Sequence, residues 1–238
     1  MKRLLMISLV VLLLAGCSGG LIRPRVEKGI RDALPEYIGP AKEYTVSADG
    51  STTAMMKGLI ERLHIEGRDV QIDPNLVLGH ISVVMDEVRY HPSTHELESV
   101  RSTAFQATIS EAAVNRYVEQ MQRSDADSQP PPSLHVKLEP GSVLVEFVPK
   151  VAGIDVLVSV AGRPVIADGD KVNFQADKAS AAHLPVPSYV VNKLLDSANP
   201  ILDMSVMRFP VTLQDIIVKK GAVVIKGNAQ FKPVSTEQ

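Results

Sequence analysis

The stretch Leu134-His135-Val136-Lys137-Leu138-Glu139 alternates apolar and polar residues without a break, and the alternation resumes from Val143 to Val148. A period of two is the signature of a strand with one buried and one wetted face. The same period returns in Ile154, Val156, Val158 and Val160, and in Val172, Phe174 and Ala176 set against Lys171, Asn173, Gln175 and Asp177. An antiparallel meander is expected, with Asp168-Gly169-Asp170 as a hairpin turn. No downstream ligands exist that would make that turn a calcium loop.

Working outward toward the N-terminus, residues 123–133 are polar and proline-rich, the composition of an exposed connector. Before it, Ser110 is a good N-cap, Glu111 suits the positive start of a helix, and Val114, Tyr117, Val118 and Met121 form one stripe. A helix is predicted from Ser110 to Gln122. Leu59 to Asp73, Leu76 to Tyr90 and Leu97 to Ile109 read as extended segments, longer than the usual strand. A strand from about Lys42 to Ala48 and a helical turn near Thr53 to Lys57 precede them. Closer to the start, Val26, Ile30, Ala33 and Leu34 recur at helical spacing between Pro24 and Pro35, so a short helix is expected there. Its Arg25, Lys28 and Arg31 side is read as a solvated face diluted by Glu27 and Asp32.

Toward the C-terminus, Pro187 opens a helix in which Val191, Leu194, Leu195 and Ala198 line up, ended by Asn199-Pro200. Two strands, about Val206 to Val218 and Ala222 to Phe231, close the chain around Lys219-Lys220-Gly221. Each half thus carries several long strands and one amphipathic helix. The fold class is α+β: a long, curved antiparallel sheet wrapped around two or three amphipathic helices, in one domain spanning 24–238. With Val156, Val158, Val160, Ala161, Ala176, Ala179, Ala181 and Ala182 on inner strands and no tryptophan in the chain, the wall facing the helices is expected to be built of small residues. Such a wall either packs close to a helix or leaves an apolar channel that an acyl chain can occupy, and periodicity does not separate the two.

The N-terminus has a different character. Met1-Lys2-Arg3 leads into the apolar run Leu4 to Leu14, which is far short of the roughly 20 residues a spanning helix needs. Leu14-Ala15-Gly16-Cys17 resembles a bacterial lipobox, which makes 1–16 a lipoprotein signal peptide, Cys17 the diacylglyceryl-bearing first residue, and 17–23 a tether. Cys17 is the only cysteine, so disulfides are ruled out within the chain. The expected location is the membrane surface facing the periplasm or extracytoplasmic side. From Ser18 to Pro24 the tether reaches at most roughly 20 Å.

Removing Lys2 and Arg3 from 25 basic residues leaves 23 against 27 acidic ones, so the body is mildly negative and no concentrated positive surface for nucleic acid is expected. His91, His95 and Glu96 flank a turn, but the spacing is not that of a helical zinc motif, and a plain turn is the expectation. Nucleophile elbows, phosphate loops and paired cysteines are absent from the sequence, and no enzyme activity, metal or cofactor is expected.

Several blocks resemble the LmeA family of bacterial envelope phospholipid-binding proteins: Tyr44 to Ala48 leading to Gly58, Ser102 to Glu111 entering the helix at Val114, and Leu184-Pro185-Val186-Pro187 through Asn199-Pro200 to Val223-Val224-Ile225-Lys226-Gly227. The resemblance implies a tubular lipid-binding architecture, with a phospholipid or other acyl lipid as partner in a groove. On that basis the candidate lining residues are Val114, Tyr117, Val118, Met121, Ile154, Val156, Val158, Val160, Val191, Leu194 and Leu195. Membrane attachment through Cys17 departs from the signal or anchor of many relatives; so short a tether rules out a shuttle between two membranes while anchored and implies local uptake or holding of lipid at the anchoring membrane, or hand-over to a partner. The alternative is an envelope scaffold lipoprotein with a packed core.

Overall fold

A computed structural model describes residues 22–93, 97–124, 134–151, 153–182, 184–186, 199–205 and 210–230. Helix α1 (Ile22–Tyr37) lies against β1 (Glu43–Asp49), followed by the short α2 (Thr52–Met56), β2 (Leu59–Asp73), β3 (Leu76–Tyr90), β4 (Leu97–Ser110) and α3 (Glu111–Ser124). The second half contains β5 (Leu134–Glu139), β6 (Ser142–Phe147), β7 (Lys150–Val151), β8 (Ile154–Asp155), β9 (Val158–Ala167), β10 (Lys171–Ala181), β11 (Leu184–Pro185), β12 (Leu202–Asp203), β13 (Val211–Lys219) and β14 (Ala222–Ala229). The α+β composition and the antiparallel pairing follow the sequence pattern. The expected helix at 187–198 and the connector beyond Ser124 lie outside the described residues, as does Cys17. Among the described residues no helix is long and apolar enough to cross a membrane.

The single long sheet expected from the sequence is two sheets. Sheet A has the order β1-β2-β3-β4-β14-β13, and sheet B the order β11-β10-β9-β6-β5 with β12 added beside β10. The physical reason is the interruption by α3: once the helix leaves β4, the next strands pair with one another, and only the closing hairpin returns to the free edge of β4. Smaller departures have local causes. The first helix continues past Leu34 to Tyr37: Pro35 gives up one bond to Arg31 O, and Ile38 N, donating to Leu34 O at 2.8 Å, closes the last turn beyond it. The expected continuous strand from Ile154 to Val160 is broken: Val156 N bonds Pro149 O, so β7 and β8 form a separate small hairpin and β9 begins at Val158.

The long strands of sheet A do not alternate strictly. Along β2 the buried apolar residues are Ile60, then Leu63 and Ile65, then Val70; along β3 they are Leu76 and Leu78, then Ile81 and Val83, then Val88. The spacing of three, in place of two, occurs at matching positions on both strands, since Ile60 pairs with Val88 and Val70 with Leu78. At each slip one residue takes a left-handed conformation, Glu87 with φ 49° and Asp69 with φ 50°. Because both strands slip together, register is kept while the pair bends, as strands do at bulges. The buried side of sheet A, with Leu34 from α1 and Ala113 from α3, forms the main core.

The sheets are joined by backbone bonds at one end. Gly141 N donates to Val218 O at 3.0 Å, Gly221 N to Leu138 O at 3.0 Å, and further along β13, Leu213 N to Gly169 O at 2.6 Å. Sheet B therefore runs beside β13 and continues beyond the end of sheet A.

Two substitutions in sheet A should move stability in opposite directions. A Cβ at Gly67 would stand 2.7 Å from Val70 Cγ2 and 2.8 Å from both Ile81 Cγ2 and Tyr44 Cε1, so Gly67→Ala is expected to lower unfolding free energy by about 1–3 kcal/mol in urea titrations. Thr103 is buried with its hydroxyl lacking a hydrogen-bond partner, so Thr103→Val is expected to hold stability or raise it by about 1 kcal/mol.

Candidate functional site

In an antiparallel ladder, residues directly opposite one another share a face. On sheet B this gives three rows: Leu138, Val143, Gly162 and Ala176; then Val136, Val145, Val160 and Ala179; then Leu134, Phe147, Val158 and Ala181. A bulge at Asp177 lets Ala176 and Ala179 share the face despite their odd spacing. Pro164 with Phe174 and Ile166 with Val172 extend it at the other end. Every one of these residues is apolar. The reverse face carries Lys137, Glu146, Ser159, Arg163 and Gln175 with half-buried Leu144, Ala161 and Val165 among them; Ala161, expected on the inner wall, thus faces the other way because it directly precedes Gly162 on the apolar face.

The apolar face is covered unequally. At one end Val172 is buried in the main core beside Val211 and Leu213, with Ile166 packed against it. At its β5 edge, Val136 and Leu138 pack with Val218 in a second cluster, against which Val114 and Val118 of α3 lie. Between and beyond these, Phe147, Val158, Val160, Ala176, Ala179 and Ala181 are half-buried and, among the described residues, belong to neither cluster. Small side chains keep the wall shallow, and Gly162 is the extreme case. A Cβ there would meet Gln175 O at 2.2 Å and Phe174 Cζ at 2.7 Å, because the Phe174 ring leans over the glycine.

Helix α3 is fixed to this wall by its polar groups. Ser110 Oγ accepts from Ala113 N at 3.2 Å, capping the helix. Glu111 Oε2 accepts from Leu138 N at 2.7 Å, and Asn115 brackets Val136: its Oδ1 accepts from Val136 N at 2.7 Å while its Nδ2 donates to Val136 O at 2.7 Å. These bonds satisfy the outer edge of β5 in the way another strand would. Asn199 does the same on β10, accepting from Phe174 N at 2.8 Å and donating to Phe174 O at 3.2 Å.

The candidate lining residues fall in distinct places. Val114 touches both clusters, Tyr117 packs on the main core and Val118 on the second. Val158 and Val160 lie on the half-covered face, with Val156 half-buried just before them. Ile154 stands apart, exposed on the β7–β8 hairpin. Met121 lies near the end of α3 with its side chain outside the described residues, where Val191, Leu194 and Leu195 also fall.

A polar cluster that the sequence did not signal occupies the opposite face of sheet A. Glu66 on β2 meets His64 Nε2 through Oε1 at 2.6 Å and His80 Nε2 through Oε2, and Ser82 Oγ donates to Glu66 Oε1 at 2.9 Å. Beside it a groove of about 370 Å³ is lined by Glu43, Thr45, Glu66, Arg68 and His80. Only the pairing of β2 with β3 brings His64-Ile65-Glu66 against His80-Ile81-Ser82. The carboxylate is already committed to both imidazoles, and among the described residues no group of three or more His, Cys, Asp or Glu is arranged to hold a metal ion. Nearby, Asp86 accepts from Arg62 Nε at 2.9 Å and from Ser102 Oγ at 3.1 Å; the Arg62 bond foremost holds its carboxyl below the usual range. These exposed pairs shape a wetted surface and contribute little to stability.

The family model described as LmeA-like phospholipid-binding matches residues 18–228, nearly all of the chain. No curated protein and no solved structure matches it significantly. The match covers both sheets and α3 together.

Removal of the Asn115 bracket tests how the helix is mounted. Asn115→Ala leaves the N–H and carbonyl of buried Val136 unpaired and is expected to cost about 1–3 kcal/mol in urea unfolding, whereas exposed Arg116→Ala on the same helix should change stability little.

Proposed function

The chain belongs to the LmeA-like phospholipid-binding family, and on that footing we propose that it is a non-catalytic lipid-binding lipoprotein of the bacterial envelope, holding acyl chains against the apolar face of sheet B for local storage or transfer. The observation that carries this reading is the strip Phe147, Val158, Val160, Ala176, Ala179 and Ala181: apolar, contiguous by register, and left half-covered by the two cores. A folded chain seldom leaves such a strip without use. Each methylene removed from water contributes about 0.8 kcal/mol, so ten carbons laid along this wall supply about 8 kcal/mol before ordering costs. Nothing in that interaction depends on the lipid's headgroup. The face carries no charge, so its selectivity is for chain and not for head.

The architecture in this proposal is tubular: sheet B and α3 form a trough whose closed side is β5 with Val114 and Val118, and whose floor is Val158 and Val160. Cys17 holds the domain to a membrane through a diacylglyceryl group, since durable attachment takes at least two acyl chains. Catalysis has no place in this scheme, because binding and release of an acyl chain make and break no covalent bond.

Three measurements test the proposal. Lipid extracted from protein purified out of its native envelope should contain phospholipid in stoichiometric amount, identified by mass spectrometry; protein that carries none overturns it. Val158→Trp should reduce uptake of a fluorescent phospholipid to background while the unfolding free energy from urea titration falls only by the about 1–3 kcal/mol of an overpacked site; undiminished uptake would remove sheet B as the site. Cys17→Ser should also abolish incorporation of labelled palmitate.

A further inference from the structure

The exposed apolar residues of sheet B gather at its free end. Val148, 38% exposed, follows Phe147; Leu157, 42% exposed, precedes Val158; Leu184, 69% exposed, pairs with Ala181; and Ile154, 69% exposed, tops the small hairpin between them. Ala182 N bonds Leu157 O at 2.9 Å, which ties the two sides of this rim together. The rim continues the row Leu134, Phe147, Val158 and Ala181, so it is the open mouth of the apolar wall.

Its position relative to α1 follows from the ladders. The start of α1 is held at the β1–α2 end of sheet A, where Arg23 Nη2 donates to Gly50 O at 3.2 Å and Glu27 Oε1 accepts from Ala48 N at 3.0 Å. The opposite end of sheet A holds the Lys219–Ala222 turn and Glu111, and there β5 and β6 attach through Gly141 and Gly221. From Gly162, level with that junction, sheet B extends four more residues to Val158 and then to the rim. From Arg62, opposite Asp49, to Val70, level with Ser110, β2 covers eight residues, and sheet B adds four from Gly162 to Val158; at about 3.3 Å each these put roughly 40 Å of strand between the start of α1 and the rim. From Cys17 to Ile22 the chain spans at most about 18 Å.

We infer that the rim formed by Val148, Ile154, Leu157 and Leu184 docks on a lipid bilayer other than the one holding the Cys17 anchor, and that lipid enters or leaves the apolar wall there. The inference rests on the lipoprotein and lipid-wall readings above, and replaces transfer at the anchoring membrane, expected from the short tether, with hand-over to an apposed membrane that the length of the molecule itself reaches. A bilayer fits better than a protein partner. The four side chains are all aliphatic, with none of the Trp, Tyr or Arg that anchor protein interfaces, and they join directly to a face that takes acyl chains. The start of α1, next to the anchor, and the mouth stand at opposite ends, so a molecule upright on its own membrane presents the mouth outward.

The absence of tryptophan from the chain makes a single reporter unambiguous. Full-length chains carrying Leu184→Trp or, as a control on the exposed end of α1, Tyr37→Trp are reconstituted into phosphatidylcholine–phosphatidylglycerol donor vesicles, and protein-free acceptor vesicles of the same composition are then added. The Leu184→Trp emission is expected to shift to the blue only when acceptors are added, the Tyr37→Trp emission is expected to stay put, and Ile154→Asp with Leu184→Asp should slow fluorescent phospholipid transfer to acceptors at least severalfold. A blue shift in donors alone places the mouth on its own membrane and overturns the inference. So does no shift in either state, or a chain that fails to float with donors. Lipid found in protein from the native envelope despite a silent reporter would retain the binding function and reject only the docking end; lipid-free protein would reject the function itself.

Discussion

The two sheets are held in one molecule by the outer edge of β5. An edge strand offers unpaired N–H and carbonyl groups that must find partners, and here they find them in Glu111, Asn115 and Gly221. That one constraint sets where α3 sits, and α3 in turn brings Val114 and Val118 over the β5 side of the wall. Because the edge is satisfied by a helix and a turn, and not by β4, sheet B is free to run past the end of sheet A. The half-covered strip and its rim exist because of that overhang.

Sheet A solves a different problem. Two strands of 15 residues cannot keep strict alternation and also curve around a core, so β2 and β3 slip phase together at Glu61–Glu87 and again at Asp69–Gly79. Ile60, Val70, Leu78 and Val88 are thereby turned inward. Among the described residues, the inner side of sheet A is buried in the main core, whereas the middle rows of the inner face of sheet B stay half-buried. In the proposed role the first sheet supplies stability and the second the surface that lipid reaches. The His64–Glu66–His80 cluster lies on the wetted side of the stable sheet and is chemically self-contained.

In the proposed role, a wall of small apolar side chains has modest chemical specificity: it needs only volume and polarity by face, and many combinations of Val, Ala and Gly meet that need. The family match identifies the class of ligand where motif chemistry does not. The broken strand at Ile154 illustrates the same point: a residue that fits the alternation of an inner wall instead stands at the rim.

The sequence by itself determined the local rules. Alternation from Leu134 to Glu139 specified the two faces of β5, Ser110 and Glu111 specified the start of α3, and Asp168-Gly169 specified a hairpin, because each depends on neighbours within a few residues. Val114, Val118, Val158 and Val160 were legible as apolar stripes for the same reason. Tertiary structure alone decided that there are two sheets, that Asn115 brackets Val136 across 21 positions, that strands slip phase in pairs, and that Ile154 and Leu184 meet at one end. Those outcomes turn on which distant segments compete for the same hydrogen-bonding edge, and no local pattern encodes that competition.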